Sequence, residues 1–182
     1  EKLDEALVCY QKALAVEAEN VEAHKNLGNA LKQLGKLEDA VASYRKAVAI
    51  KPDFVEAHNN LGTTLEELGH LDEAIASHHK ALAIKPDFAE AHYNLGNVHL
   101  ELGHLDEAFA SHQKALTINP VYTEAHNSLG ATLEELGRYD QAIVSYHKAL
   151  AIKPNFAEAH KNLGNAFLKL GKLEDAVTSH QK

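Results

Sequence analysis

The sequence predicts an all-α protein built as an array of helix pairs, and three observations carry that prediction. Displaced by 34 residues, the chain nearly overlays itself. The stretch VEAHKNLGNALKQLGKLEDAVASYRKAVAIKPDF at 21–54 recurs at 55–88, 89–122 and 123–156, and in truncated form at 157–182. Residues 1–20 read as the second half of one more copy. All ten glycines fall into two columns, Gly28, Gly62, Gly96, Gly130 and Gly164, then Gly35, Gly69, Gly103, Gly137 and Gly171. All four prolines, Pro52, Pro86, Pro120 and Pro154, form a third.

Each copy divides into two helices. In 21–54, Ala23, Leu27, Leu31 and Leu34 keep a three-to-four-residue apolar spacing up to Gly35, which can take the left-handed conformation that stops a helix. The second helix is predicted to begin at Lys36 to Glu38, with Glu38 and Asp39 at the positive end of its dipole. It presents Leu37, Ala40, Val41, Tyr44, Ala47 and Val48 inward, and Lys46 and Lys51 sit near its negative end before Pro52 prevents continuation. The same punctuation sets the next three copies, and Gly171 ends the first helix of the last. Gly28 and Ala40 leave little side chain between the paired helices, so their axes can approach closely.

Composition narrows the function. With 45% hydrophobic and 24% charged residues the chain is a folded globular type, long enough to bury a core. A net charge of −8 with scattered Lys and Arg offers no basic stripe for a phosphate backbone, so nucleic acid and anionic membrane are excluded as partners. No apolar run is long enough to span a bilayer. Cys9 is the only cysteine, which precludes an internal disulfide and a thiolate zinc site and fits a reducing compartment; the cytoplasm is the expected location. The opening EKLDEALVCY reads as the middle of a domain, and the expectation is a fragment of a longer protein.

The columns His24-x2-Leu27-Gly28-x2-Leu31, then Ala40-x3-Tyr44-x2-Ala47 and Pro52, resemble the tetratricopeptide repeat over essentially the whole chain. The resemblance implies a right-handed superhelical solenoid of antiparallel helix pairs, with first helices lining a concave groove that holds peptides or partner proteins. The departures are His24, His58, His92, His126 and His160 where the family usually has a large residue, and Leu31, Leu65, His99, Leu133 and Phe167 where it often has Tyr.

Histidines and carboxylates crowd 89–108, but a residue that recurs in every copy is architecture. His92 and His99 are separated by roughly 10 Å of helix, too far to share a metal. His78 and His79 point about 100° apart. No metal or cofactor is expected. Ser43, Ser77, Ser111, Ser145 and Ser179 stand beside the Tyr/His column, where adjacent helical positions diverge, so Ser111 and His112 are not a nucleophile and its base, and no enzymatic activity is expected. His78, His112 and His180 share a column with Tyr10, Tyr44 and Tyr146 that the family buries. Burial disfavours the imidazolium, so stability is expected to fall as pH drops through about 6.

Function is expected on the first-helix face. Its positions are Glu22, Lys25, Asn26, Asn29, Lys32 and Gln33 in the first full copy, and Glu56, Asn59, Asn60, Thr63, Glu66 and Glu67 in the next. Glu90, Tyr93, Asn94, Asn97, Leu100 and Glu101 follow, then Glu124, Asn127, Ser128, Ala131, Glu134 and Glu135, and finally Glu158, Lys161, Asn162, Asn165, Leu168 and Lys169. Lys25, Asn29 and Asn60 match part of the carboxylate clamp of chaperone-binding relatives, but Glu90 and Asn94 stand where that clamp needs cations. The groove is more similar to the repeat arm of the O-linked N-acetylglucosamine transferases and their bacterial relatives, whose asparagine ladder holds extended backbone. Asn26, Asn60, Asn94 and Asn162 match that ladder with Ser128 as the gap, and Asn29, Asn97 and Asn165 lie one turn on. An equal alternative is that these amides bond to neighbouring repeats or are simply the repeat's default residues. The predicted site is Lys25, Asn26, Asn29, Asn60, Tyr93, Asn94, Asn97, Glu101, Asn162 and Asn165, and its Glu-rich middle favours a neutral or basic peptide. Two other functions follow from the same reading: self-association through uncapped repeat ends, or service as the targeting arm of a larger enzyme such as a glycosyltransferase.

Overall fold

The computed structural model describes residues 2–172, and among them there are ten helices and no strand. In chain order these are α1 (Lys2–Val16), α2 (Val21–Gln33), α3 (Leu37–Ile50), α4 (Val55–Glu67), α5 (Leu71–Ile84), α6 (Ala89–Glu101), α7 (Leu105–Ile118), α8 (Thr123–Glu135), α9 (Tyr139–Ile152) and α10 (Ala157–Lys169). The even-numbered helices are the first helices of the repeats, the odd-numbered ones the second. The expected helix after Gly171, with Ser179 and His180, lies outside the described residues. None of the described helices is long and apolar enough to cross a membrane.

The two glycine columns do different work. Gly35, Gly69, Gly103, Gly137 and Gly171 have φ between 71° and 75°, and a Cβ on any of them would meet nothing within 4 Å. Backbone freedom alone selects glycine there. It lets the next residue fold back: the amide of Lys36 donates to the Leu31 carbonyl at 2.9 Å, and that of His70 to the Leu65 carbonyl at 2.8 Å. This closure caps the first helix and aims the second directly after it. In the other column space decides. A Cβ on Gly28 would lie 2.6 Å from Cε1 of Tyr44, and one on Gly62 equally close to Cε1 of His78. The ring of the second helix lies flat on the glycine of the first.

The second helices α3, α5, α7 and α9 stop because each is followed by a residue held extended ahead of proline. Lys51, Lys85, Asn119 and Lys153 take that role, with φ between −124° and −130°. The loop then turns so that Lys51 lies 5.3 Å above the Phe54 ring, Lys85 5.4 Å above Phe88 and Lys153 5.1 Å above Phe156.

The described residues fall into two compact units, one running to Ala91 and the other starting at His92 within α6. In the first, α2 pairs with α3 and α4 with α5, α1 rests on α2, and α3 rests on α4. Ala47, Phe54 and Ala57 form one of its core clusters. In the second, α8 pairs with α9, flanked by α7 and α10. Its core joins Leu129, Leu133, Ile143, Tyr146 and Leu163, with Phe109, Leu116 and Phe167 packed against it.

Candidate peptide-binding groove

Within the first unit, α2 and α4 carry the predicted residues, and most of their polar atoms are already engaged. Lys25 Nζ lies 2.6 Å from a Glu22 carboxylate oxygen and 5.5 Å from the centre of the Phe54 ring. Lys32 Nζ donates to Thr63 Oγ1 at 3.1 Å and lies 3.0 Å from Glu67. The Oδ1 of Asn29 accepts from the Tyr44 hydroxyl at 2.7 Å and from Asn60 Nδ2 at 3.0 Å. The Tyr44 hydroxyl is pushed up to about 12, by burial and then by the charge of Glu67, so it stays a donor. Asn26 is half-buried.

Within the second unit, Asn97 Oδ1 accepts from Nε2 of buried His112 at 3.1 Å, and Asn162 Nδ2 donates to Asn127 Oδ1 at 3.2 Å. The Tyr93 ring packs on Tyr122 at 4.9 Å and on His112 at 6.1 Å. In the fourth repeat Ala131 replaces the asparagine, and Tyr146 instead donates to Glu134 at 2.5 Å. Burial, with that bond and that charge, pushes the Tyr146 hydroxyl upward. Glu101 and Asn165 are exposed.

Three asparagines expected to line the groove are inside. Asn94 is 8% exposed, Asn59 1% and Asn127 4%. Asn59 serves a buried partner: its Oδ1 accepts from His78 Nδ1 at 3.1 Å, and its Nδ2 reaches Glu90 at 3.3 Å. In that repeat histidine stands in the Tyr column, and Asn59 meets its ring nitrogen from within.

Two further roles were not anticipated from the sequence. The histidines of the first helices pin the preceding loop, since Nε2 of His24, His58, His126 and His160 lies 2.8 to 2.9 Å from the carbonyl six residues earlier. The serine column is also scaffold, as Ser43, Ser77 and Ser145 donate to the carbonyl four residues back.

Family models described as "TPR repeat" match residues 1–35, 28–69, 67–103 and 135–171, and two described as "Tetratricopeptide repeat" match 89–122 and 113–144. The chain belongs to the tetratricopeptide repeat family. Solved structures agree: a crystal structure of MamA is 30% identical, with 85% of this chain and 91% of that one covered, at a TM-score of 0.77. YrrB, described as a TPR protein with an unusual peptide-binding site, is 26% identical over 93% of this chain and 88% of its own, at 0.74. TTC0263, a thermophilic TPR protein in Thermus thermophilus, is 25% identical over 87% of each chain, also at 0.74. No curated protein matches the sequence.

As a tetratricopeptide array the chain is a protein-interaction scaffold, and its chemistry is that of a surface. The charges on its first helices are unevenly engaged. Lys25 and Lys32 are neutralised by Glu22 and Glu67, whereas the exposed Glu56, Glu101, Glu124 and Glu135 carry no ion pair among the described residues. Exposed cations on this face, Lys161 and Lys169, belong to α10.

Proposed function

We propose that the first-helix face binds an extended, neutral to basic segment of a partner protein. The observation that carries this reading is the fate of the charges: the first-helix lysines of the first unit, Lys25 and Lys32, are paired internally, and the exposed charge left on α4, α6 and α8 is carboxylate. An acidic segment would meet uncompensated repulsion, and a basic one would be drawn in.

The amides support the extended conformation. Asn29 and Asn60 are bonded to each other through one oxygen and one nitrogen, which leaves the Asn29 Nδ2 and the Asn60 Oδ1 as donor and acceptor for a backbone. Asn26 and Asn165 carry no side-chain bond among the described residues. In the second unit Tyr93, held against Tyr122 and His112, supplies a rigid apolar surface. YrrB, with its peptide-binding site, is a precedent in the same fold.

A titration of labelled peptides of matched length, one containing Lys and Arg and one containing Asp and Glu, tests the reading. The basic peptide binds more tightly, loses affinity as salt is raised, and loses roughly tenfold with Glu101→Lys and Glu135→Lys combined. Equal affinity for the acidic peptide would refute the charge preference.

A further inference from the structure

The second helices bound a set of clefts separate from the first-helix face, and these repeat in register. Between α1 and α3 the lining includes Gln11, Leu14, Ala18, His24 and Lys46, around about 470 Å³. Between α3 and α5 it includes Arg45, Val48, Pro52, His58, Lys80 and Ile84, around about 400 Å³. Between α7 and α9 it includes Gln113, Leu116, Pro120, His126, Lys148 and Ile152, around about 660 Å³. All three volumes fall within the ~300–1,000 Å³ common for ligand sites.

Register gives each cleft the same construction. A histidine of the first helix forms the floor, fixed by its bond to the carbonyl of Ala18, Pro52 or Pro120 at 2.9, 2.8 and 2.9 Å. The floor is thus preformed, and binding costs little in ordering it. Apolar side chains on the walls are partly open to solvent: Ile84 is 39% exposed and Ile152 40%. A lysine occupies the same rim position each time, Lys46, Lys80 and Lys148, and none of the three has an ion pair among the described residues. Arg45 is bound to Glu73 at 2.6 Å, so Lys80 is the uncommitted cation of its cleft. No carboxylate lines the α3/α5 cleft or the α7/α9 cleft, in a protein of net charge −8. Asp39 lines only the α1/α3 cleft.

The α7/α9 cleft continues into a second hollow of about 370 Å³ lined by Phe109, Leu133, Gln141 and Val144, sharing Gln113, Leu129 and Ser145 with the first. From Gln141 to Ile152 the combined trough follows α9 for roughly 17 Å at 1.5 Å per residue. Val144, on its edge, is 54% exposed. The one carboxylate along it, Asp140, lies at the end away from Lys148, 4.0 Å from Lys172.

We propose that the α7/α9 trough docks an acidic amphipathic helix of a partner protein, with apolar side chains at i, i+4 and i+7 filling the hollow and a carboxylate reaching Lys148. A trough with apolar walls running along a helix pair suits a helix laid lengthwise, and the unpaired lysine selects the sign of its charge. The α3/α5 cleft, with Lys80, is a shorter version of the same site. This surface calls for the opposite charge from the first-helix groove, so one scaffold would hold two different segments.

The test uses the whole chain and three designed, fluorescein-labelled helical peptides: one with Leu at i, i+4 and i+7 and Glu elsewhere, one with Lys in place of Glu, and one with Ser in place of Leu. The acidic Leu peptide binds about tenfold more tightly than either control. Lys148→Glu and, separately, Val144→Glu weaken it about tenfold while the thermal midpoint holds, since both positions are exposed. An unlabelled basic extended peptide does not displace it. Equal binding of the acidic and basic helices, indifference to both substitutions, or displacement by the extended peptide would overturn the proposal. So would a dimer of the chain alone that Lys148→Glu dissolves, because a second copy would then be the occupant.

Discussion

A Cβ added to Gly62 would lie 2.6 Å from the His78 ring, while one added to Gly69 would meet nothing but sit on a backbone with φ of 75°. Gly62→Ala therefore overpacks a fixed ring and is expected to cost about 1–3 kcal/mol. Gly69→Ala costs about 1–2 kcal/mol through its left-handed backbone. Asparagine separates the two causes: it recovers part of the loss at 69, where it tolerates that conformation, and deepens it at 62. Urea denaturation of the four variants checks this, and a loss at 69 that asparagine does not relieve would contradict it. The rings against these glycines also set a pH dependence. His78 and His112 are fully buried, and burial pushes both imidazoles down to about 4, with His79 and Lys32 adding to the effect at His78. Their folded value lies below the ~6.5 of an unfolded histidine, so the unfolded chain takes up protons first. The stability they contribute is complete above pH about 6.5 and is lost as pH falls toward about 4. Between pH 7.5 and 5.5 the loss is about 1 kcal/mol for each histidine. Replacing both with tyrosine, as the column has at Tyr44 and Tyr146, flattens the thermal midpoint over this range; an unchanged slope would place the titration elsewhere.

At the scale of the helix and its loop, the sequence was close to sufficient. Glycine with positive φ and the residue before proline are local constraints, and they placed the observed start of α3 at Leu37, inside the predicted interval, and its end at Ile50 just ahead of Pro52. The loop ties were not legible, because a histidine on an apolar helix face reads as packing until its ring nitrogen is placed. His126 is 7% exposed, and its Nε2 lies 2.9 Å from the Pro120 carbonyl. His126→Phe keeps the ring and strands that carbonyl, and it is expected to destabilise by about 1 kcal/mol. Faster hydrogen exchange at the start of α8 than in the parent chain is the corresponding signature. Unchanged stability and exchange would reduce the bond to a coincidence of packing.

For the whole molecule, the sequence assigned the binding residues to the first helices, and there its reach ended. Which amides remain available is decided by partners one repeat away, as in Asn29 with Asn60 and Asn162 with Asn127, and by side-chain reach that a column cannot express. Asn59 and Asn127 share a column with Lys25 and Tyr93, yet both are buried, Asn59 against the His78 ring and Asn127 bonded to Asn162. The distinction guides the choice of variants. Asn29→Ala would strand the Tyr44 hydroxyl and confuse folding with binding, whereas Asn26, Asn165, Glu101 and Glu135 carry no internal side-chain bond among the described residues. The most direct test of the scaffold's proposed role is a calorimetric titration of a basic extended peptide into the parent chain and into the combined Asn26→Ala, Asn165→Ala, Glu101→Lys and Glu135→Lys variant. The account predicts salt-sensitive binding to the parent, weakened at least roughly tenfold in the variant with helical content unchanged. Binding of the same strength to both would contradict it and move the peptide site off the first-helix face.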